Sequence, residues 1–157
     1  MKIWITSDHH FFHRNIIRYC DRPFTSYQEM NEFMIRKWNE KVNREDIVIH
    51  LGDFCLFGIE KARQIKEQLN GTIILIRGNH DYNNMEELGF IVAGEKWQIG
   101  KLILTHRPLD KEEIPAGMIN VHGHIHNKDS FNGVNVSVEK TGYSPVELGQ
   151  FADKRDT

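Results

Sequence analysis

Five apolar runs in this chain each end in a short loop of residues able to ligate a metal, and that repeated ending constrains the fold more than any other feature. Residues 3–6 lead to Asp8 and His10, 47–51 to Asp53, 73–77 to Asn79 and His80, 102–105 to His106, and 118–121 to His124 and His126. Ligands scattered this widely can meet at one point when they sit at the ends of different strands of one layered sheet structure. The pattern reads as a metal-dependent hydrolase centre.

The segments between the runs agree with layers. Ser26 and Glu29 have the spacing of a capping box, and Met30, Phe33, Met34 and Trp38 follow at helical spacing, which predicts a helix over residues 26–40. A strand is expected at 46–51. A second helix is expected at 58–69, where Ile59, Ala62, Ile65 and Leu69 share a face, and Gly71 follows it. A strand at 72–76 completes a β-α-β-α-β alternation, the mark of a layered α/β domain. Beyond Phe90 the pattern becomes short β segments: a hairpin around Gly100, then 118–122 and 133–138. A second, largely antiparallel sheet is expected there. The length of 157 residues fits one domain, 1–157, with no internal boundary.

Composition narrows the partners. A formal net charge of -2 gives no general attraction to a polyanion, so extended nucleic acid is not expected, whereas a small phosphate ester is compatible. Cys20 and Cys55 form neither a metal knuckle nor a disulfide framework, which suits a reducing cytoplasm. No charged leader and no apolar run of about 18 residues is present, so neither export nor membrane spanning is expected.

The ordered blocks Asp8-His9-His10, Gly52-Asp53, Gly78-Asn79-His80-Asp81, His106 and Gly123-His124-Ile125-His126 together resemble the calcineurin-like metallophosphoesterases, from Lys2 to about Pro145. The resemblance implies that family's α/β fold, two mixed β-sheets packed face to face and flanked by helices in a four-layer sandwich. It also implies two divalent metal ions. Asp8, His10, Asp53 and His126 would hold one; Asp53, Asn79, His106 and His124 would hold the other. Asp53 would bridge them, its charge offsetting the repulsion between ions roughly 3.5–4 Å apart. Oxygen and imidazole donors without thiolate suit Mn, Fe, Co, Ni or Zn over an all-oxygen Mg or Ca site. A metal-bound hydroxide would attack phosphorus while His80 protonates the leaving oxygen. Many relatives carry an acidic residue three positions after the bridging aspartate to orient that histidine. Leu56 stands there in this chain, which leaves Asp81 or a backbone carbonyl for the task.

The remaining polar residues have plainer readings. His9 points away from its ligating neighbours on an extended segment, His50 is a strand residue, and His122 takes a buried hydrogen-bonding role. His13 and Arg14, in the loop after His10, are the candidates for substrate contact; the alternative for Arg14, as for Arg107, is a solvated arginine. Ser7, Asp8 and His9 do not make a nucleophile triad, because consecutive residues cannot aim their side chains at one another. Cys55 is expected to be a small buried apolar group.

The chemistry expected is hydrolysis of a small phosphodiester, with monoesters as further substrates. Two other readings are a non-catalytic binding module on the same fold and a nuclease on single-stranded ends. The intact ligand set and His80 argue against the first. The charge balance advertises no basic, aromatic-lined channel for the second. At this length there is little room for a cap domain, which implies an open site, and a partner subunit could complete it as a homodimer.

Overall fold

The computed structural model describes residues 1–152. Strands β1 (Ile3–Thr6), β2 (Ile47–His50) and β3 (Thr72–Leu75) pair side by side and parallel, joined by helices α1 (Arg14–Tyr19), α2 (Tyr27–Lys41) and α3 (Ile59–Lys66). Strand β4 (Ile91–Val92) extends this sheet beyond β3, and β9 (Val146–Glu147) closes its other edge antiparallel to β1. Strands β5 (Lys96–Ile99), β6 (Leu102–Thr105), β7 (Ile119–His122) and β8 (Gly133–Asn135) form the second sheet, and the short helices α4 (Val138–Thr141) and α5 (Gly149–Ala152) flank β9 in sequence. Two mixed sheets flanked by helices are the architecture expected.

Strand alternation creates two cores. Trp4, Val48 and Ile73 face Met30, Met34 and Trp38 of α2 and Ala62 and Ile65 of α3. Ile5 and Ile49 face the other way, against Leu102, Leu104 and Val121 of the second sheet. The first sheet is thus buried on both faces, as parallel sheets are. The outer face of the second sheet, where Ile103 and Asn120 point, is met by the 106–118 connection: the Leu109 N–H donates to Asn120 Oδ1 at 3.0 Å.

The second sheet corrects one expectation. Only β5 and β6 are antiparallel, whereas β6, β7 and β8 run parallel. The local signal of a hairpin at Gly100 is right, but the 106–118 connection is long enough for a crossover, and local patterning does not report its direction. The segment after His13 also winds into α1 where a loop was expected. Ser26 caps α2 by accepting from the Glu29 N–H at 3.1 Å; the Glu29 carboxylate completes no box but reaches back to Thr25. Among the described residues no helix is long and apolar enough to cross a membrane.

Candidate metal centre

Because β1, β2 and β3 are mutually parallel, as are β6 and β7, their C-terminal ends gather the five loops at one edge of the sandwich. Pairing continues past the strands: the Asp8 N–H donates to the Gly52 carbonyl and the His10 N–H to that of Asp53, both at 3.0 Å. Five of the candidate ligands, Asp8, His10, Asp53, His124 and His126, have left-handed backbones with φ between 51° and 70°. Such strain in non-glycine residues collects at functional sites, held by the surrounding structure. Gly123 shows why glycine belongs in these loops: a Cβ there would collide with the Asp8 carboxylate and the Ser7 hydroxyl.

The donors fall into two groups. Atoms of Asp8, His10 and His126 lie within 4.8 Å of one another, and so do atoms of Asp53, His106 and His124. Asn79 Oδ1 joins the second group, 2.9 Å from His106 Nε2. Asp53 Oδ2 stands between the groups, 3.4 Å from His10 Nε2 and 3.4 Å from His106 Nε2. All seven candidate ligands are therefore brought together, with Asp53 central.

Five of the seven are oriented through their other polar atom. Asp8 Oδ2 accepts from the Ser7 hydroxyl at 2.5 Å and the His124 N–H at 2.8 Å. That Ser7 contact corrects the expectation for consecutive side chains, because the left-handed turn at Asp8 brings them together. Asp53 Oδ1 accepts from the His80 N–H at 2.8 Å. His106 Nδ1 donates to the Leu51 carbonyl at 2.7 Å, and His126 Nδ1 to Glu139 Oε2 at 2.8 Å, so both rings turn Nε2 inward. His10 Nδ1 bonds His13 Nδ1 at 3.1 Å.

The inward atoms fit a divalent cation. Among the described residues, Asp8 Oδ1 and His10 Nε2 are buried without a hydrogen-bond partner, a costly state unless an ion occupies the space. Burial disfavours the charged forms of all these groups. Nevertheless Asp53, flanked by His10 and His106, stays well below the usual carboxylate range, and His10 and His106 are raised by Asp53 and Asp8. Protons on these imidazoles stand where cations would bind, and metal ions would displace them.

His80 is placed differently. Its side chain is 44% exposed, with Nε2 4.0 Å from Asp53 Oδ2 and its ring 5.5 Å from that of His10. Asp81 does not orient it, because both its oxygens accept backbone N–H groups of Asp53, Phe54 and Gly78 at 2.7–2.9 Å. Leu56 is only partly buried, and among the described residues no hydrogen bond holds the His80 ring. His13 bonds His10 at 3.1 Å and is pushed down to about 4 by burial and then by the charge of His10. Arg14 opens α1 and lines a hollow with Thr25, Ser26 and Tyr27.

Several residues behave as structure. His50 Nδ1 accepts from the Gly52 N–H at 3.1 Å, so its Nε2 donates to His9 Nδ1 at 2.9 Å; both rings are fully buried. His122 bonds the Gly123 carbonyl and the Ser130 hydroxyl. Cys55 is buried, which pushes its thiol up to about 12.

The sequence reading missed Arg22 and Glu139. Buried Arg22 donates to the carbonyls of Asp8 and His9 at 2.8 and 2.7 Å and pairs with Glu139 at 3.0 Å, while Glu139 holds His126. No local signal marks either residue; they are 117 positions apart. Cys20, His126 and Glu139 also lie close together, but the guanidinium of Arg22 already supplies the positive charge that a further ion would bring.

Comparison with known proteins places this geometry. A family model described as calcineurin-like phosphoesterase matches residues 1–153. An uncharacterised protein of Methanocaldococcus jannaschii is 39% identical over 163 residues, covering 94% of this chain and 87% of its own. A protein of unknown function from Aquifex aeolicus superposes with a TM-score of 0.76 at 22% identity over 98% of each chain. A Pseudomonas putida nuclease superposes with a TM-score of 0.55 at 23% identity, over 79% of this chain and 61% of its own. These two structures share the fold.

Proposed function

Starting from the chain's membership of the calcineurin-like phosphoesterase family, we propose that it is a binuclear-metal phosphodiesterase acting on a small ester. The observation that supports this most is the pair of donor groups with Asp53 Oδ2 between them. Asp8, His10, Asp53 and His126 would hold one ion, and Asp53, Asn79, His106 and His124 the other. When bound, two such ions supply Lewis acidity toward the phosphoryl oxygens and a low-pKa water as nucleophile.

The chain's own residues supply the rest. The buried ligand loops, braced by Arg22 and by the Asp8 and Asp53 hydrogen bonds, keep the donors in place before substrate arrives. The half-exposed His80 ring, close to Asp53 yet outside both donor groups, can follow a leaving oxygen and give it a proton. Among the described residues no further domain is present to cap that edge, which supports an ester with two arms.

Hydrolysis of bis-aryl phosphodiesters by the manganese-loaded protein should exceed that of the matching monoesters in kcat/KM. His80→Ala should retain its metal and lose about 10²–10⁴-fold in kcat on alkyl esters, as loss of a proton donor does. Nitrophenyl esters should lose less, because nitrophenolate departs without protonation. A monoester preference would overturn the diester reading; equal loss on both leaving groups would remove His80 as the acid.

A further inference from the structure

Next to the second donor group lies a cleft of about 630 Å³, lined by Asn79 and His106 and beyond them by Arg77, Lys96, Arg107 and Leu109. That volume is in the range of small-molecule pockets, roughly 300–1,000 Å³, and is far more than one phosphoryl group needs. The cleft is continuous with the candidate centre through Asn79 and His106.

Two of its three cations are unpaired among the described residues. The side chains of Arg107 and Lys96 make no ion pair or hydrogen bond among the described residues, whereas Arg77 is held by Glu86 at 3.0 Å. Of the acidic residues in the wall, Asp81 is engaged by backbone amides and Glu113 accepts from the Asp110 N–H. Glu95 is the third carboxylate of the wall, so the cleft is of mixed charge, and Arg107 and Lys96 are the cations in it left to meet an anionic ligand.

The backbone of Arg107 is built in. Buried Asn120 donates to the Ile103 carbonyl and to Thr105 Oγ1, both at 3.0 Å, and accepts from the Leu109 N–H. Thr105 Oγ1 in turn donates to the Arg107 carbonyl at 2.7 Å. A buried asparagine in a strand is expensive unless fully bonded. Here its bonds fix the turn that presents Arg107 beside His106. Lys96 stands opposite Thr105 on the neighbouring strand.

We propose that this cleft binds an ester arm carrying a second phosphate, as a short nucleotide does, with Arg107 and Lys96 as its recognition residues. The reacting phosphoryl belongs at Asp53, between the donor groups; the two cations lie on one side of it, where an arm would extend. Arginine suits phosphate through its paired N–H donors, and lysine adds a point charge. This inference rests on the phosphoesterase reading for the identity of the reaction, though not for binding.

The test compares the nitrophenyl ester of thymidine 5′-phosphate with the same ester carrying a 3′-phosphate, so that the leaving group is constant. Binding of thymidine 5′-phosphate and of the 3′,5′-bisphosphate to the manganese-loaded protein is measured by calorimetry in parallel. The second phosphate should improve kcat/KM and affinity about tenfold or more, the usual worth of a charge-assisted contact. Arg107→Ala and Lys96→Ala should each bring both ratios towards one. Equal binding of the two nucleotides by the wild type overturns the proposal. So does an Arg107→Ala variant that weakens both alike, since Arg107 would then hold the reacting phosphoryl. Preferential binding of the bisphosphate without hydrolysis of either ester would uphold the cleft and refute the phosphoesterase reading instead.

Discussion

At the scale of single residues, the centre depends on groups that touch no candidate ion. Glu139 gives His126 its orientation and neutralises Arg22, and Arg22 braces the carbonyls of the loop that carries Asp8 and His10. Glu139→Gln keeps the shape but leaves the buried guanidinium uncompensated and its grip on His126 weakened. Affinity for one of two manganese ions should fall by about 10–100-fold, the usual effect of removing a histidine's outer partner. Calorimetric titration reads this directly as one weakened site beside one retained. Equal weakening of both sites would show that Glu139 supports the fold alone.

At the scale of elements, the parallel strands must be aligned before their ends can meet. Asp46 does this at the edge opposite the centre, accepting from the Lys2 N–H at 2.8 Å, the Trp4 indole at 3.0 Å and the Asn43 N–H at 2.9 Å. The bond from Asn43, then those from Lys2 and Trp4, lower its pKa from 3.8 to about 2. A depressed folded value means that the charged form favours folding. Its contribution is complete above the unfolded value near 3.8 and is lost as pH falls through about 2. Denaturant unfolding of wild type and Asp46→Asn should therefore differ at neutral pH and converge over that acid window. A difference that persists below it would assign the effect to packing.

At the scale of the whole molecule, two sheets meet at an edge where carboxylates and imidazoles are crowded. Ions that bind only the folded chain must stabilise it, by about 2.7 kcal/mol at free metal a hundredfold above Kd. For a domain of this size that is a rise in Tm of roughly 5–10 °C. Thermal unfolding in manganese should show the rise and chelator should reverse it. Identical curves in both would mean that the donors hold no ion in the folded state.

The sequence by itself determined the α/β class, the helices α2 and α3, and the candidate ligands, because each is written in local patterning: apolar periodicity, a capping serine, and polar residues directly after apolar runs. It could not determine that β6, β7 and β8 run parallel, since direction depends on the path of the 106–118 connection. Nor could it show that the Asp81 carboxylate is engaged by backbone amides, leaving the His80 ring without a hydrogen bond among the described residues. Arg22 with Glu139, and Asn120 behind Arg107, were equally hidden. Those pairings join residues distant in the chain and carry no periodicity, so only the tertiary structure, which decides what each buried polar atom faces, makes them visible.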